Sequence, residues 1–216
     1  MSTAQNLPMG EAVRTGWEKF QANAGILIAV QFFAFAIPAI LERISDSFKD
    51  SNSFIEFGIW IASTAASATV ELGMMSIALA ILAGQAVKFT SMFEPFDRVP
   101  HFVVAGLITF SAVLVGLIFL IVPGILVLIR LQFIGYRILD GAGPMDAIKQ
   151  SWDLTRGHTL DLFLFGLIYV GINLLGLLCF VVGLLASGPI SLIAHAHLYN
   201  WLSAKSVAPP AVTAAP

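Results

Sequence analysis

The sequence predicts an all-α polytopic membrane protein with six transmembrane helices, two cytoplasmic interfacial amphipathic helices and an internal pseudo-repeat. Three observations carry that reading. The chain is 58% hydrophobic and 11% charged, with a mean hydropathy of +0.89, whereas a soluble domain is about a quarter charged. Most of its 216 residues lie in apolar runs of bilayer-crossing length, roughly 17–25 residues each, which leaves no room for a separate soluble domain. Finally, one amphipathic signature occurs twice, each time just before a long apolar run. Glu11-Ala12-Val13-Arg14-Thr15-Gly16-Trp17-Glu18 lies over Asp146-Ala147-Ile148-Lys149-Gln150-Ser151-Trp152-Asp153, as in an internally repeated membrane protein.

The second copy shows why these segments belong at an interface. In Gly143–His158, Met145, Ile148, Trp152 and Thr155 share one helical side, and Asp146, Lys149, Gln150, Asp153 and Arg156 the other. That is the pattern of a helix lying in a membrane surface. Pro144 suits the first turn, where its missing N–H would be unpaired anyway, and Asp146 complements the helix dipole. Interfacial helices are therefore expected over 8–23, with Met9, Val13, Trp17 and Phe20 on the apolar side, and over 144–158. Glu11 and Glu18 beside Arg14 and Lys19 do not make the basic start of a cleaved signal peptide, so the first apolar run is expected to be an uncleaved anchor.

A single helical membrane domain is expected over 1–203. Its spans fall at about 24–41, 55–85, 102–121, 125–139, 160–178 and 181–202. Pro38 sits in the last turn of the first span, where a kink does little harm. Residues 42–53 form a polar loop. The second run is long for one straight span, roughly 48 Å against a hydrocarbon core of about 30 Å. It either tilts and projects, or bends near Thr69–Gly73. Its Ala62, Ser63, Ala66, Ser67 and Ala68 would let another helix approach closely. A polar connector covers 87–101, and a hairpin at Pro123-Gly124 separates the third span from the fourth. Gly166, Gly171 and Gly176 are expected as packing notches. Residues 204–216 form an Ala/Pro-rich tail, expected to be disordered.

The hairpin is also what the charges favour. Six spans with the N-terminus inside put Arg14, Lys19, Lys88, Arg98, Arg137, Lys149, Arg156 and Lys205 on the cytoplasmic side, leaving Arg43 and Lys49 outside and Arg130 in the membrane. This is the bias of the positive-inside rule. Both termini and both interfacial helices are then cytoplasmic, and the repeat is parallel.

Ile121-Val122-Pro123-Gly124-Ile125, then Arg130, then Gly141-x-Gly143-Pro144-x-x-Ala147-x-x-x-Ser151-Trp152-x-Leu154-Thr155-Arg156-Gly157 is a distinctive run. It resembles a broad group of uncharacterised bacterial integral-membrane proteins, including the membrane domain found beside some glycerophosphoryl diester phosphodiesterases and related six-span domains of unknown function. The resemblance implies a multi-span helical domain of the bacterial inner membrane and brings no agreed activity. The phosphodiesterase chemistry of the fused relatives belongs to a soluble barrel whose residues do not occur here.

Ionisable residues at membrane depth cost roughly 2.5–3.5 kcal/mol on insertion scales, so each is a functional candidate. Glu71 and Arg130 qualify, and an ion pair between them would relieve both costs if their helices are neighbours. The functional reading is a gating pair or a proton or anion site. The structural reading, favoured here, has Arg130 capping backbone carbonyls near the Pro123 break or snorkelling, with Glu71 at a bend. His195 and His197 point apart on a helix and do not share a metal. Ser191 and His195 can meet on one face, as a proton relay or, preferably, as hydrogen-bonded packing. Asn173 and Gln31 read as interhelical hydrogen-bond partners. Trp17, Trp152 and Trp201 read as interfacial anchors, and the lone Cys179 as packing.

No metal-ligand spacing, phosphate-cradling loop or nucleophile elbow occurs, so no catalytic residue, metal or cofactor is expected. The net charge of −2 without a basic stripe excludes a nucleic-acid partner. The expected function is a non-enzymatic membrane protein engaged in membrane or lipid organisation, or in binding another membrane protein or its own copy. The alternative is a small transporter or channel using Glu71 and Arg130, which requires a water-accessible cavity at the level of Glu71.

Overall fold

The structure is a computed structural model that describes residues 7–47, 53–179 and 182–207. Among the described residues every regular element is helical. Five stretches are long and apolar enough to cross a membrane: Met9–Ile44, Glu56–Leu82, Phe89–Phe119, Ile121–Leu139 and Thr159–Leu178.

Helix α1 (Met9–Asp46) joins the first expected interfacial helix to the first expected span. The junction falls at Asn23, whose φ of −129° and ψ of 21° leave the helical region. Its Nδ2 donates to the Lys19 carbonyl at 3.0 Å, the competition with the backbone ladder to which a short amide is prone. α1 runs on past Leu41, so the expected loop begins later, and its residues 48–52 lie outside the described ones. Helix α2 (Ser53–Leu82) is continuous over 30 residues, about 45 Å. The bend considered at Thr69–Gly73 is absent, and Thr69 Oγ1 bonds back to the Ala65 carbonyl at 2.7 Å. Gly73 instead lets a 3-10 segment, Phe89–Arg98, lie directly on α2, because a Cβ there would collide with the Met92 backbone.

Helices α3 (Val99–Phe119) and α4 (Ile121–Leu131) form the expected hairpin. Its turn is Leu120, extended at φ −166° and ψ 145°, and not Pro123-Gly124. Pro123 is accommodated in the first turn of α4, and Gly124 meets Gly116 across the hairpin. α4 breaks at Gln132–Phe133, and α5 (Ile134–Leu139) completes what was expected as one span over 125–139. Helix α6 (Pro144–Leu154) is the second expected interfacial helix, ending a turn early at a Thr155 C-cap. Gly157, at φ 87°, then turns the chain into α7 (Thr159–Leu178).

Residues 180–181 lie outside the described ones, and helix α8 (Leu184–Val207) follows. It continues through residues 204–207 of the expected tail, whose remainder is not described. The sixth expected span lies in α8, which is not among the five apolar stretches. Its position explains why. α8 packs on α1, α2, α6 and α7, with Ile193, Ala194, Ala196 and Leu198 fully buried. A helix enclosed by others can carry Ser187, Ser191 and His195, because protein groups satisfy the polar atoms facing them. Low hydropathy here marks centrality.

Close approach of α1 to α8 depends on Gly16, where a Cβ would sit 2.5 Å from the Ile190 carbonyl oxygen. Overpacking against rigid backbone costs about 1–3 kcal/mol. Gly16→Ala is therefore expected to lower the thermal unfolding midpoint in detergent, and an unchanged midpoint would contradict this packing.

Candidate functional site

The site begins at the break between α4 and α5. A helix that stops in apolar surroundings frees backbone groups that must find partners. Two hydroxyls of α6 supply them. Ser151 Oγ donates to the Arg130 carbonyl at 2.9 Å and accepts from the Phe133 N–H at 3.3 Å. Thr155 Oγ1 also lies 3.3 Å from that carbonyl. Both residues are fully buried, so the Ser-Trp-x-Leu-Thr part of the signature is a clamp on the broken helix.

The break brings Gln132 and Tyr136, one helical turn apart, against α8. His195 Nε2 lies 3.0 Å from Gln132 Oε1, and His195 Nδ1 lies 3.3 Å from the Tyr136 hydroxyl. Since Gln132 presents its carbonyl oxygen, the imidazole carries its proton on Nε2 and accepts from Tyr136 on Nδ1. Phe133 stacks on the same ring at 4.7 Å. His195 is thus held on both nitrogens as a packing histidine. The Ser191–His195 contact considered from their spacing is not made. Ser191 Oγ instead accepts from Asn173 Nδ2 at 2.9 Å, and Ser187 Oγ donates to Asn173 Oδ1 at 3.2 Å. Asn173 is therefore the expected interhelical partner, tying α7 to α8.

Glu71 and Arg130 do not form the ion pair considered from their depth. Arg130 Nη1 donates to the Trp152 carbonyl at 3.4 Å, and its guanidinium lies 5.3 Å from the Trp152 ring centroid. It caps a carbonyl, as the structural reading held, but one on α6 and not near Pro123. Glu71 has no hydrogen-bond or ion-pair partner among the described residues. Its carboxyl side borders two hollows. One, of about 470 Å³, lies between α2 and α3 beside Ser63, Thr64 and Ser67. The other, of about 620 Å³, lies between α7 and the α1–α2 pair, with α8 behind it.

The larger cavity exists because α7 packs on α8 and α4 and makes no extensive contact with α1 or α2. Its polar wall is Glu71, Gln31, Gln132, Asn173, Tyr169 and His195, and its apolar lining includes Phe35, Phe165 and Val170. Phe35 and Val170 are also exposed on the outer surface. Gln31, expected as a simple hydrogen-bond partner, is 5% exposed with Oε1 unpartnered among the described residues. Gly166 and Gly171 are not packing notches, since a Cβ on either would meet nothing within 4 Å. Gly176 is one, against Ser187 and Gly183. Cys179, expected in the packing, is exposed at the end of α7. Among the expected anchors Trp17 and Trp152 are exposed, while Trp201 is partly covered by Lys205 at 4.2 Å. Sequence reasoning missed Gln132, Tyr136 and Tyr169. The one available signal was the i, i+4 spacing of Gln132 and Tyr136 in an otherwise apolar run.

These features define a class: an all-helical protein with several helices compatible with membrane spans, arranged about a central helix that carries several polar residues and a cavity of mixed polar and apolar lining. The chain belongs to the family described as domain of unknown function DUF7847, whose family profile matches residues 60–215. No curated protein and no solved structure matches. The match bears out an uncharacterised family, and it does not support the closer resemblance to the membrane domain of glycerophosphoryl diester phosphodiesterases.

Two substitutions test the architecture of the site. Ser151→Ala leaves the Phe133 N–H and the Arg130 carbonyl short of a partner, at about 1–3 kcal/mol for a buried unsatisfied group. His195→Phe keeps the ring stack and removes both hydrogen bonds, at a similar cost. Each should lower the unfolding midpoint in detergent. A His195→Phe protein as stable as the parent would contradict the packing role.

Proposed function

We propose that this chain is a non-enzymatic integral protein of the bacterial inner membrane that holds an amphiphile, a membrane lipid or lipid-like molecule, in the cavity between α7 and α1–α2. The observation that carries this reading is the cavity itself. Its volume lies within the range of small-molecule sites, about 300–1,000 Å³, and its lining is mostly apolar with a few polar side chains, Glu71, Gln31 and Asn173 among them. A gap between helices at membrane depth opens to acyl chains, and polar groups behind it receive a headgroup.

In this reading α8 is the sixth span, both termini are cytoplasmic, and α6 and the first part of α1 lie in the inner interface. The pseudo-repeat is supported by matching burial of its copies. Ala12 and Ala147 are fully buried, Gly16 and Ser151 are buried, and Trp17 and Trp152 are exposed at equivalent positions. The exposed Phe32, Leu107, Phe110, Ile118 and Val170 form the lipid-facing surface, since a soluble protein rarely exposes so much contiguous apolar area. Another membrane protein or a second copy of the chain remains a partner in this proposal. A transport reading draws on the same cavity and is favoured only by the unpaired Glu71, with Arg130 no longer part of it.

Gly166→Leu tests the binding reading, because it adds bulk to the cavity lining from a position where a Cβ meets nothing within 4 Å. Native mass spectrometry of protein released from lipid nanodiscs should show the lipid-bound fraction falling by about tenfold, equivalent to 1.4 kcal/mol, at an unchanged unfolding midpoint. Retention of the same lipid by Gly166→Leu would sink the proposal.

A further inference from the structure

The hydrogen-bonding balance of the cavity goes further. Gln132 Nε2 donates to the Ile129 carbonyl at 2.9 Å, and Asn173 Nδ2 to the Tyr169 carbonyl and Ser191 Oγ at 2.8 and 2.9 Å. His195 Nε2–H is engaged by Gln132. Asn173 Nδ2 and His195 Nε2 are thus occupied within the protein, and Gln132 Nε2 has one of its two N–H groups engaged. What stands out among the open groups is the Glu71 carboxylate, a pure acceptor when ionised; beside it are the buried Gln31 Oε1, which accepts, and the Tyr169 hydroxyl, which can donate or accept, none with a hydrogen-bond partner among the described residues. Glu71 is the one charged residue in the lining, and neither Lys nor Arg accompanies it. Phe35, Phe165 and Tyr169 add aromatic rings to the same wall, and ring faces attract cations.

Glu71 opens on the cavity with no protein cation beside it, so a cationic ligand group can pair with its carboxylate, and a charge-assisted hydrogen bond is the strong way to do so. We propose that the cavity takes an amphiphile whose head is an ammonium group, with the ammonium on Glu71 and Gln31 and its chain passing out between α7 and α1. The inference rests on the amphiphile-binding reading above and narrows it to one head chemistry. Two sources share that chemistry, an aminophospholipid of the bilayer and a free lipophilic amine.

The test uses the full chain in neutral detergent and two probes with one chain and different heads, dodecylammonium and dodecanol, each titrated against the thermal unfolding midpoint. The expected result is at least about tenfold tighter binding of the ammonium, with the preference lost in Glu71→Gln while dodecanol binding persists. Equal affinity of the two probes for the parent protein overturns the inference, and that comparison decides it even if Glu71→Gln is not recovered folded. A preference that survives in a folded Glu71→Gln overturns it as well. In either case, loss of both probes in Gly166→Leu shows that the cavity reading stands without it. Nanodiscs with and without phosphatidylethanolamine separate the sources. Aminophospholipid retained on the protein identifies a lipid, whereas ammonium binding with none retained identifies a free amine.

Discussion

The hydrogen bonds from Ser151 and Thr155 to the backbone of α4 hold together features that the chain keeps far apart in sequence. An apolar helix that stops at Gln132–Phe133 would leave a carbonyl and an N–H without partners, and water is scarce at such a place. Ser151 supplies both a donor and an acceptor, and Thr155 adds a second hydroxyl at the same carbonyl. With the break satisfied, α5 can leave the line of α4, Gln132 and Tyr136 can face α8, and His195 can be held on both ring nitrogens. Helix α6, with Met145 and Trp152 exposed and Ser151 buried, is thereby both a surface element and the support of the polar interior.

That interior explains an inversion in hydropathy. α3 and α7, on the outside, are the more uniformly apolar helices, while α8 at the centre carries the serines and histidines. Ser187 and Ser191 of α8 meet Asn173 of α7, and His195 meets Gln132 at the break and Tyr136 of α5. Gln31 Oε1 on α1 and Glu71 on α2 have no such partner among the described residues, and both border the cavity. Two unpartnered acceptors thus border one cavity, the kind of group a ligand can satisfy.

Much of the helix plan was legible in the sequence. The Asn23 junction and the α3–α4 hairpin follow from periodicity and the length of apolar runs. The break at Gln132 was not, because neither Pro nor Gly marks it and its cause lies on another helix. Membrane depth alone gave Glu71 and Arg130 as a candidate pair. Depth carries no information on which way a side chain points around its helix, and Arg130 turns to Trp152 instead. The glycines of α7 misled for a related reason. A small residue is compatible with either a tight contact or an open space, and only the packing of α7 away from α2 separates Gly176 from Gly166.

The most direct measurement is a structure of the protein in lipid nanodiscs, examined at the cavity beside Glu71 and Asn173. The account predicts an open cavity holding elongated density, with one end at Glu71 and the other leaving between α7 and α1. An α7 closed onto α1 and α2, with Glu71 paired to a protein cation and no space between the helices, would contradict it.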